Sequence, residues 1–187
     1  MRLFIAVTLP EEIKEEIGIF QKELKRKIKE AKIVLKDNLH LTLKFLGEVR
    51  EEKVTEICEI IGKITCDFTA FPMEIKGIGR FPEGKKIRVL WVGAIAGENL
   101  KKLNRIIEDK FEKLNFPKEE RFKEHITVAR FKTTPNISFV EEFEKKYNNK
   151  EWGKIEVSSI ELIKSQLTPQ GPIYTSVKNF KLGGKNG

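Results

Sequence analysis

The chain has 187 residues, a formal net charge of +8 and a pI near 9.4, with 40% hydrophobic and 34% charged residues. That balance belongs to a soluble globular protein with a real core and excludes a low-complexity array. The longest uncharged apolar stretch, Val89 to Ala96, is too short to cross a bilayer, so no membrane partner is expected.

The chain opens on an apolar run, Leu3 to Val7, that reads as a strand rather than a signal peptide, because no small-residue cleavage site follows it. Ile13, Ile17, Phe20, Leu24 and Ile28 then step by three or four and predict an amphipathic helix, with the basic run Lys22 to Lys32 on its wet face. From Asn38 to Phe45 the period is two: Leu39, Leu41, Leu43 and Phe45 on one face, Asn38, His40, Thr42 and Lys44 on the other. Val54, Ile57, Ile61 and Ile64 predict a second helix, and Met73 to Ile78 a strand. Cys58 and Cys66 fit neither a disulfide framework nor a zinc spacing and are expected as small buried hydrophobes in a reducing cytoplasm.

After the turn-rich stretch 77–86 the order repeats. Arg88 to Gly93 reads as a strand 86 positions after Arg2; Leu100, Leu103, Ile107, Phe111 and Leu114 mark a helix. His125-Ile126-Thr127-Val128 then matches His40-Leu41-Thr42-Leu43 at an offset of 85 residues. A helix over Phe139 to Tyr147, with Ser138 and Glu141 as a capping box, precedes a strand running from Ile155 to Ile163. A last strand, Ile173 to Val177, is expected to stand to the second half as the Val89 strand stands to the first. The fold class is therefore α+β: a duplicated bilobal arrangement of two antiparallel-rich sheets, with helices on the outside. One domain over 1–187 is expected, built from halves of about 1–85 and 86–187, and the pattern leaves open whether the halves share or exchange strands.

The two motifs use both histidines of the protein. With ten Thr in the chain, one histidine meets an apolar-Thr-apolar follower by chance roughly one time in a hundred, and both about once in ten thousand. If the halves are related by a pseudo-twofold axis, two imidazoles and two hydroxyls meet across a groove. A neutral imidazole can take the proton of an attacking hydroxyl while an imidazolium protonates the leaving oxygen, and hydroxyls can hold non-bridging phosphate oxygens. That set suits a phosphodiester and needs no metal; two histidines without a carboxylate cluster make a poor zinc site. Past the motifs the symmetry breaks, Lys44 matching Ala129 and Phe45 matching Arg130. Lys44 or Arg130 is expected to help hold phosphate, and Arg130, on core parity, is expected at a bulge or strand end.

These residues resemble the two-histidine phosphoesterase superfamily, and within it the RNA 2′,3′-cyclic phosphodiesterases, long called 2′-5′ RNA ligases. The likeness runs through Arg2-Leu3-Phe4-Ile5-Ala6, Asn38 to Gly47, Val89-Leu90-Trp91, His125 to Arg130, Ser165 and Gly171-Pro172-Ile173-Tyr174. It implies two lobes whose motifs face a central cleft, and hydrolysis of RNA 2′,3′-cyclic phosphate ends to 2′-phosphates. By the resemblance His40 is the proton donor to the leaving O3′, His125 is the acceptor that activates water, and Thr42 and Thr127 hold the phosphate. Attack by a 5′-hydroxyl RNA end in place of water would give a 2′-5′ linkage. The implied partners are RNAs with cyclic ends, tRNA halves among them, in the cytoplasm, with no cofactor, metal or obligate protein partner. Glu124 stands where relatives often have proline. A non-catalytic RNA-end or nucleotide-binding module and a small cyclic-phosphate nucleotide esterase are the rival readings; the positive charge leans toward RNA over mononucleotides.

Overall fold

The computed structural model describes residues 1–183, so the last four positions of the expected second half lie outside the described residues. The apolar runs become strands β1 (Arg2–Thr8), β2 (Lys32–Ile33), β3 (His40–Glu48), β4 (Phe71–Phe81) and β5 (Val89–Ile95). They continue as β6 (His125–Arg130), β7 (Glu151–Val157), β8 (Ser159–Thr168) and β9 (Gly171–Lys181). The periodic stretches become α1 (Glu11–Lys27), α2 (Val54–Cys66), α3 (Glu98–Glu112) and α4 (Ile137–Tyr147).

The strands form one antiparallel sheet in the order β7-β4-β5-β6-β3-β1-β8-β9, with β2 added on β6. Between β6 and β3 the ladder narrows to a single pair, Leu41 with Ile126, so two four-stranded sheets meet at a seam. Read outward from that seam, β3-β1-β8-β9 mirrors β6-β5-β4-β7. Strands are exchanged: β4 follows α2 in sequence but pairs with β5, and β8 pairs back with β1. The helices cross over likewise, α1 lying on β6 and β7 while α3 lies on β3. The apolar stripes Ile13, Ile17, Phe20 and Leu24 of α1 and Leu100, Leu103, Ile107 and Phe111 of α3 join one buried core under both sheets. Each such side chain contributes about 1.5–3 kcal/mol when fully buried.

Several local expectations are corrected. The run from Ile155 to Ile163 is two strands that part at Ser158, β7 pairing with β4 and β8 with β1. The last strand is the outer partner of β8, so its counterpart across the seam is β7 rather than the Val89 strand. The α4 cap is Asn136, whose side chain accepts from the Ser138 amide, which places Ser138 inside the helix and removes the expected capping box. α1 ends at Lys27, and the rest of the basic run turns back into β2. Cys66 is exposed at the end of α2 and Cys58 half-buried; both thiols are free.

The correction that matters most is in the two motif strands. Ile5 pairs with Lys44 and Ala6 with Thr42, so Leu43 is a bulge in β3; Leu90 pairs with Ala129 and Trp91 with Thr127, so Val128 is a bulge in β6. One extra residue reverses the side-chain parity beyond it. Lys44 and Ala129 therefore turn into the core, and Phe45 and Arg130 turn out. A helix side chain meets the carbonyl of each bulged residue. Asn104 Nδ2 of α3 donates to the Leu43 oxygen at 2.7 Å, and Gln21 Nε2 of α1 donates to the Val128 oxygen at 2.9 Å.

Candidate active site

Among the described residues, α1 to α4 pack their buried stripes into the core on one face of the sheet, and the motif side chains occupy the other. Leu41 and Ile126 point into the core, so His40, Thr42, His125 and Thr127 emerge on the open face. The register of their pair sets His40 across from Thr127 and Thr42 across from His125. The imidazoles are thus diagonal neighbours, which in an antiparallel pair stand about 7–8 Å apart.

Both rings are fixed in the same way. His40 Nδ1 is 2.7 Å from the Asn38 carbonyl oxygen, and His125 Nδ1 is 2.7 Å from the Lys123 carbonyl oxygen. A carbonyl can only accept, so in each neutral ring Nδ1 carries the hydrogen and Nε2 offers a lone pair. Thr42 Oγ1 stands 3.0 Å from His40 Nε2. Asn38 is itself anchored, its Nδ2 donating to the Pro172 carbonyl at 2.8 Å, which ties the His40 backbone to β9.

Aromatic rings wall each imidazole. Phe4 lies 4.8 Å and Tyr174 5.3 Å from the His40 ring, and Phe4, Ala6 and Ile163 with Tyr174 form an apolar cluster on this face, separate from the main core. Phe81 meets His125 edge-on at 4.9 Å, with Trp91 at 6.2 Å. Burial lowers the basicity of His40 to a pKa of about 4, against the Asn38 carbonyl that favours the cation and with help from the charges of Arg130 and His125. Burial also moves His125 downward, opposed by the Lys123 carbonyl and assisted by the charges of Arg130 and Lys123. Burial raises the Tyr174 hydroxyl, while Arg130 and Arg2 oppose it.

Arg130 thus acts electrostatically on both imidazoles and on Tyr174, as its outward parity beyond the bulge requires. Lys44 is not brought to this face. It is buried with Glu108 of α3 at 2.5 Å, and its Nζ also donates to the Pro117 carbonyl at 2.8 Å. The expectation that Lys44 faces phosphate fails because the Leu43 bulge inverts its side. The Glu124 carbonyl accepts from the Ala94 amide at 3.3 Å, holding the start of β6 to β5. Phe81, Lys123 and the bulge-capping pair Gln21 and Asn104 lie outside the expectations drawn from sequence. For the last two a signal exists: a polar residue on the apolar stripe of each helix.

The chain matches the family model of the LigT like phosphoesterases over residues 7–91 and 94–174. It is 42% identical over 182 residues to the RNA 2′,3′-cyclic phosphodiesterase of Methanocaldococcus jannaschii, covering 96% of this chain and all of the relative. Its fold superposes on the crystal structure of TT0787 of Thermus thermophilus with a TM-score of 0.85 and 30% identity over the full length of both chains. LigT of E. coli, solved in complex with 3′-AMP, aligns with a TM-score of 0.77 and 26% identity over 97% of both chains. This chain belongs to the LigT like phosphoesterases.

Proposed function

We propose that the protein is an RNA 2′,3′-cyclic phosphodiesterase that hydrolyses cyclic ends to 2′-phosphates. The observation that carries this reading is the matched pair of rings, each held through Nδ1 by a backbone carbonyl, on motif strands that pair Leu41 with Ile126 across one seam. Support also comes from the names of relatives and from the 3′-AMP complex of E. coli LigT.

In the proposed step a water oxygen attacks phosphorus and gives its proton to His125 Nε2. The P–O3′ bond breaks, and O3′ takes a proton from Nε2 of the His40 imidazolium, leaving a 2′-phosphate and a free 3′-hydroxyl. Thr42, Thr127 and Arg130 hold the non-bridging oxygens as charge grows on them. A buried His40 is neutral in the free protein at pH 7, and the anionic phosphodiester supplies the charge that favours its protonated form. The deeper burial of His40 also favours a second reading in which the roles are exchanged, since a neutral ring is a ready acceptor.

The same arrangement would join RNA ends through a 2′-5′ linkage when a 5′-hydroxyl replaces water. We read the chain as one bilobal unit whose halves, about 1–85 and 86–187, trade strands, acting on RNA such as tRNA halves in the cytoplasm, where free Cys58 and Cys66 fit a reducing milieu. The test is to incubate an RNA ending in a 2′,3′-cyclic phosphate with and without a 5′-hydroxyl strand. Conversion to a 2′-phosphate supports the hydrolase, a longer RNA supports joining, and survival of the cyclic end refutes the reading.

A further inference from the structure

Beyond the His125 wall lies a second hollow. It has a volume of ≈ 410 Å³, and Gly79, Arg80, Glu83, Trp91, Lys123 and Glu144 line it. Gly79 stands opposite Trp91 in the β4–β5 ladder, and the indole lies so close over it that a Cβ there would be 2.2 Å from Cζ2. Only glycine allows that approach, which keeps the ring flat against the sheet as one wall of the hollow.

The chemistry of the lining narrows what can enter. Two buried donors, Trp91 Nε1 and one terminal guanidinium nitrogen of Arg80, have no hydrogen-bond partner in the protein. A buried donor left unmet is costly, so a ligand with acceptors gains by meeting it. Arg80 Nε lies 3.5 Å from Glu144 Oε1, and Lys123 Nζ lies 3.3 Å from Glu83 Oε1 and 4.8 Å from the Trp91 ring centroid. Two cations and two carboxylates cancel, which disfavours a bare phosphate. A planar uncharged group with both donors and acceptors on its edge fits, and within RNA that is a nucleobase.

Its place identifies which base. Phe81 and Trp91 together wall the catalytic imidazole, at 4.9 and 6.2 Å from the His125 ring and 5.4 Å from each other, and of the two Trp91 also lines the hollow. The terminal nucleoside, whose ribose carries the reacting phosphorus, belongs on the His125 side of this aromatic pair, which leaves the hollow to the next base along the chain.

We propose that this hollow is a subsite for the nucleobase preceding the cyclic end, stacked on Trp91 in place of the Lys123 ammonium that lies over that ring and addressed at its edge by Arg80 and Glu144. The inference rests on the hydrolase reading above and adds a specificity to it. Guanine is the best match, because its O6 and N7 accept from a guanidinium while its N1 and N2 hydrogens suit a carboxylate.

The experiment compares kcat/KM for adenosine 2′,3′-cyclic phosphate with that for the dinucleotide GpA bearing the same cyclic end. From the usual gain of one base stacked on an aromatic ring, the dinucleotide is expected to be favoured at least about tenfold. In Arg80→Met and in Arg80→Met/Glu144→Leu that ratio is expected to drop at least about fivefold, as the loss of hydrogen bonds to charged groups implies. A ratio needs no correction for the fraction of folded enzyme. Equal ratios in wild type and variants, or no dinucleotide advantage in wild type, overturn the subsite and leave the hydrolase standing. Tryptophan fluorescence with the unreactive GpA 2′-phosphate, blanked with Trp91→Phe, separates the reverse case. Quenching of Trp91 without any opening of cyclic ends would keep the base site and remove the hydrolase.

Discussion

Asn104 reaches across from α3 to the Leu43 carbonyl at 2.7 Å, and this contact is repeated across the seam by Gln21 and Val128. Each amide donates to the carbonyl of a bulged residue, the Val128 oxygen also accepting from the Val34 amide at 3.0 Å, and each bulge decides which side chain follows the motif threonine onto the open face. Asn104→Leu therefore strands a buried acceptor and is expected to destabilise the fold by about 1–3 kcal/mol. Urea unfolding would measure this, and turnover should fall with it because the His40 strand loses its anchor. A variant of unchanged stability would dismiss this role.

Lys44 and Glu108 are only 1% and 2% exposed, so each leaves an uncompensated buried charge when the other is removed. Lys44→Met is expected to cost about 3–5 kcal/mol, and Lys44→Met/Glu108→Leu to recover most of it. Measured on folded protein, substrate KM should stay unchanged in the double variant. A large KM increase there would return Lys44 to the phosphate.

Arg130 predicts two linked effects. Arg130→Gln should raise KM for a cyclic-phosphate RNA about tenfold or more, since a hydrogen bond to a charged group is worth about 1.5–3 kcal/mol. Removing its charge should also let both imidazoles titrate at higher pH, because that charge lowers each of them. NMR titration of the two ring C–H signals would show this; unmoved titrations would place the guanidinium elsewhere.

The depressed basicity of His40 has a stability signature. An unfolded chain protonates this ring near pH 6.5, whereas the folded protein resists until about pH 4. Unfolding therefore takes up a proton between those values; the contribution, about 3 kcal/mol, is complete above pH 6.5 and is lost as pH falls toward 4. His40→Asn should flatten that part of the stability curve relative to wild type. For activity, kcat/KM should be bell-shaped with its maximum below pH 6.5, and bound phosphate should displace the kcat profile upward. An alkaline optimum in kcat/KM would argue against imidazoles acting at these values.

What can be read from sequence is whatever depends on near neighbours. Period-two alternation places His40 and Thr42 on one face and Leu41 on the other, and the 85-residue offset pairs them with His125 and Thr127. Alternation fails at Leu43 and Val128 because a bulge is stabilised by amides from helices 61 and 107 residues away in the chain. The exchange of β4 and β8 stays open for a similar reason: nothing local to either strand says which sheet it joins. The parting of β7 from β8 has no local mark, because Val157-Ser158-Ser159 contains neither Gly nor Pro.

The most direct test uses an RNA whose cyclic phosphate carries sulfur in place of O3′, a leaving group that departs without a proton. Single-turnover rates would be compared with the oxygen substrate in wild type, His40→Ala and His125→Ala. With oxygen, each variant is expected to lose about 10²–10⁴-fold. With sulfur, His40→Ala should regain most of its rate and His125→Ala should not. Rescue of His125→Ala instead would exchange the two roles, and undiminished opening of the oxygen substrate by either variant would contradict paired-imidazole catalysis.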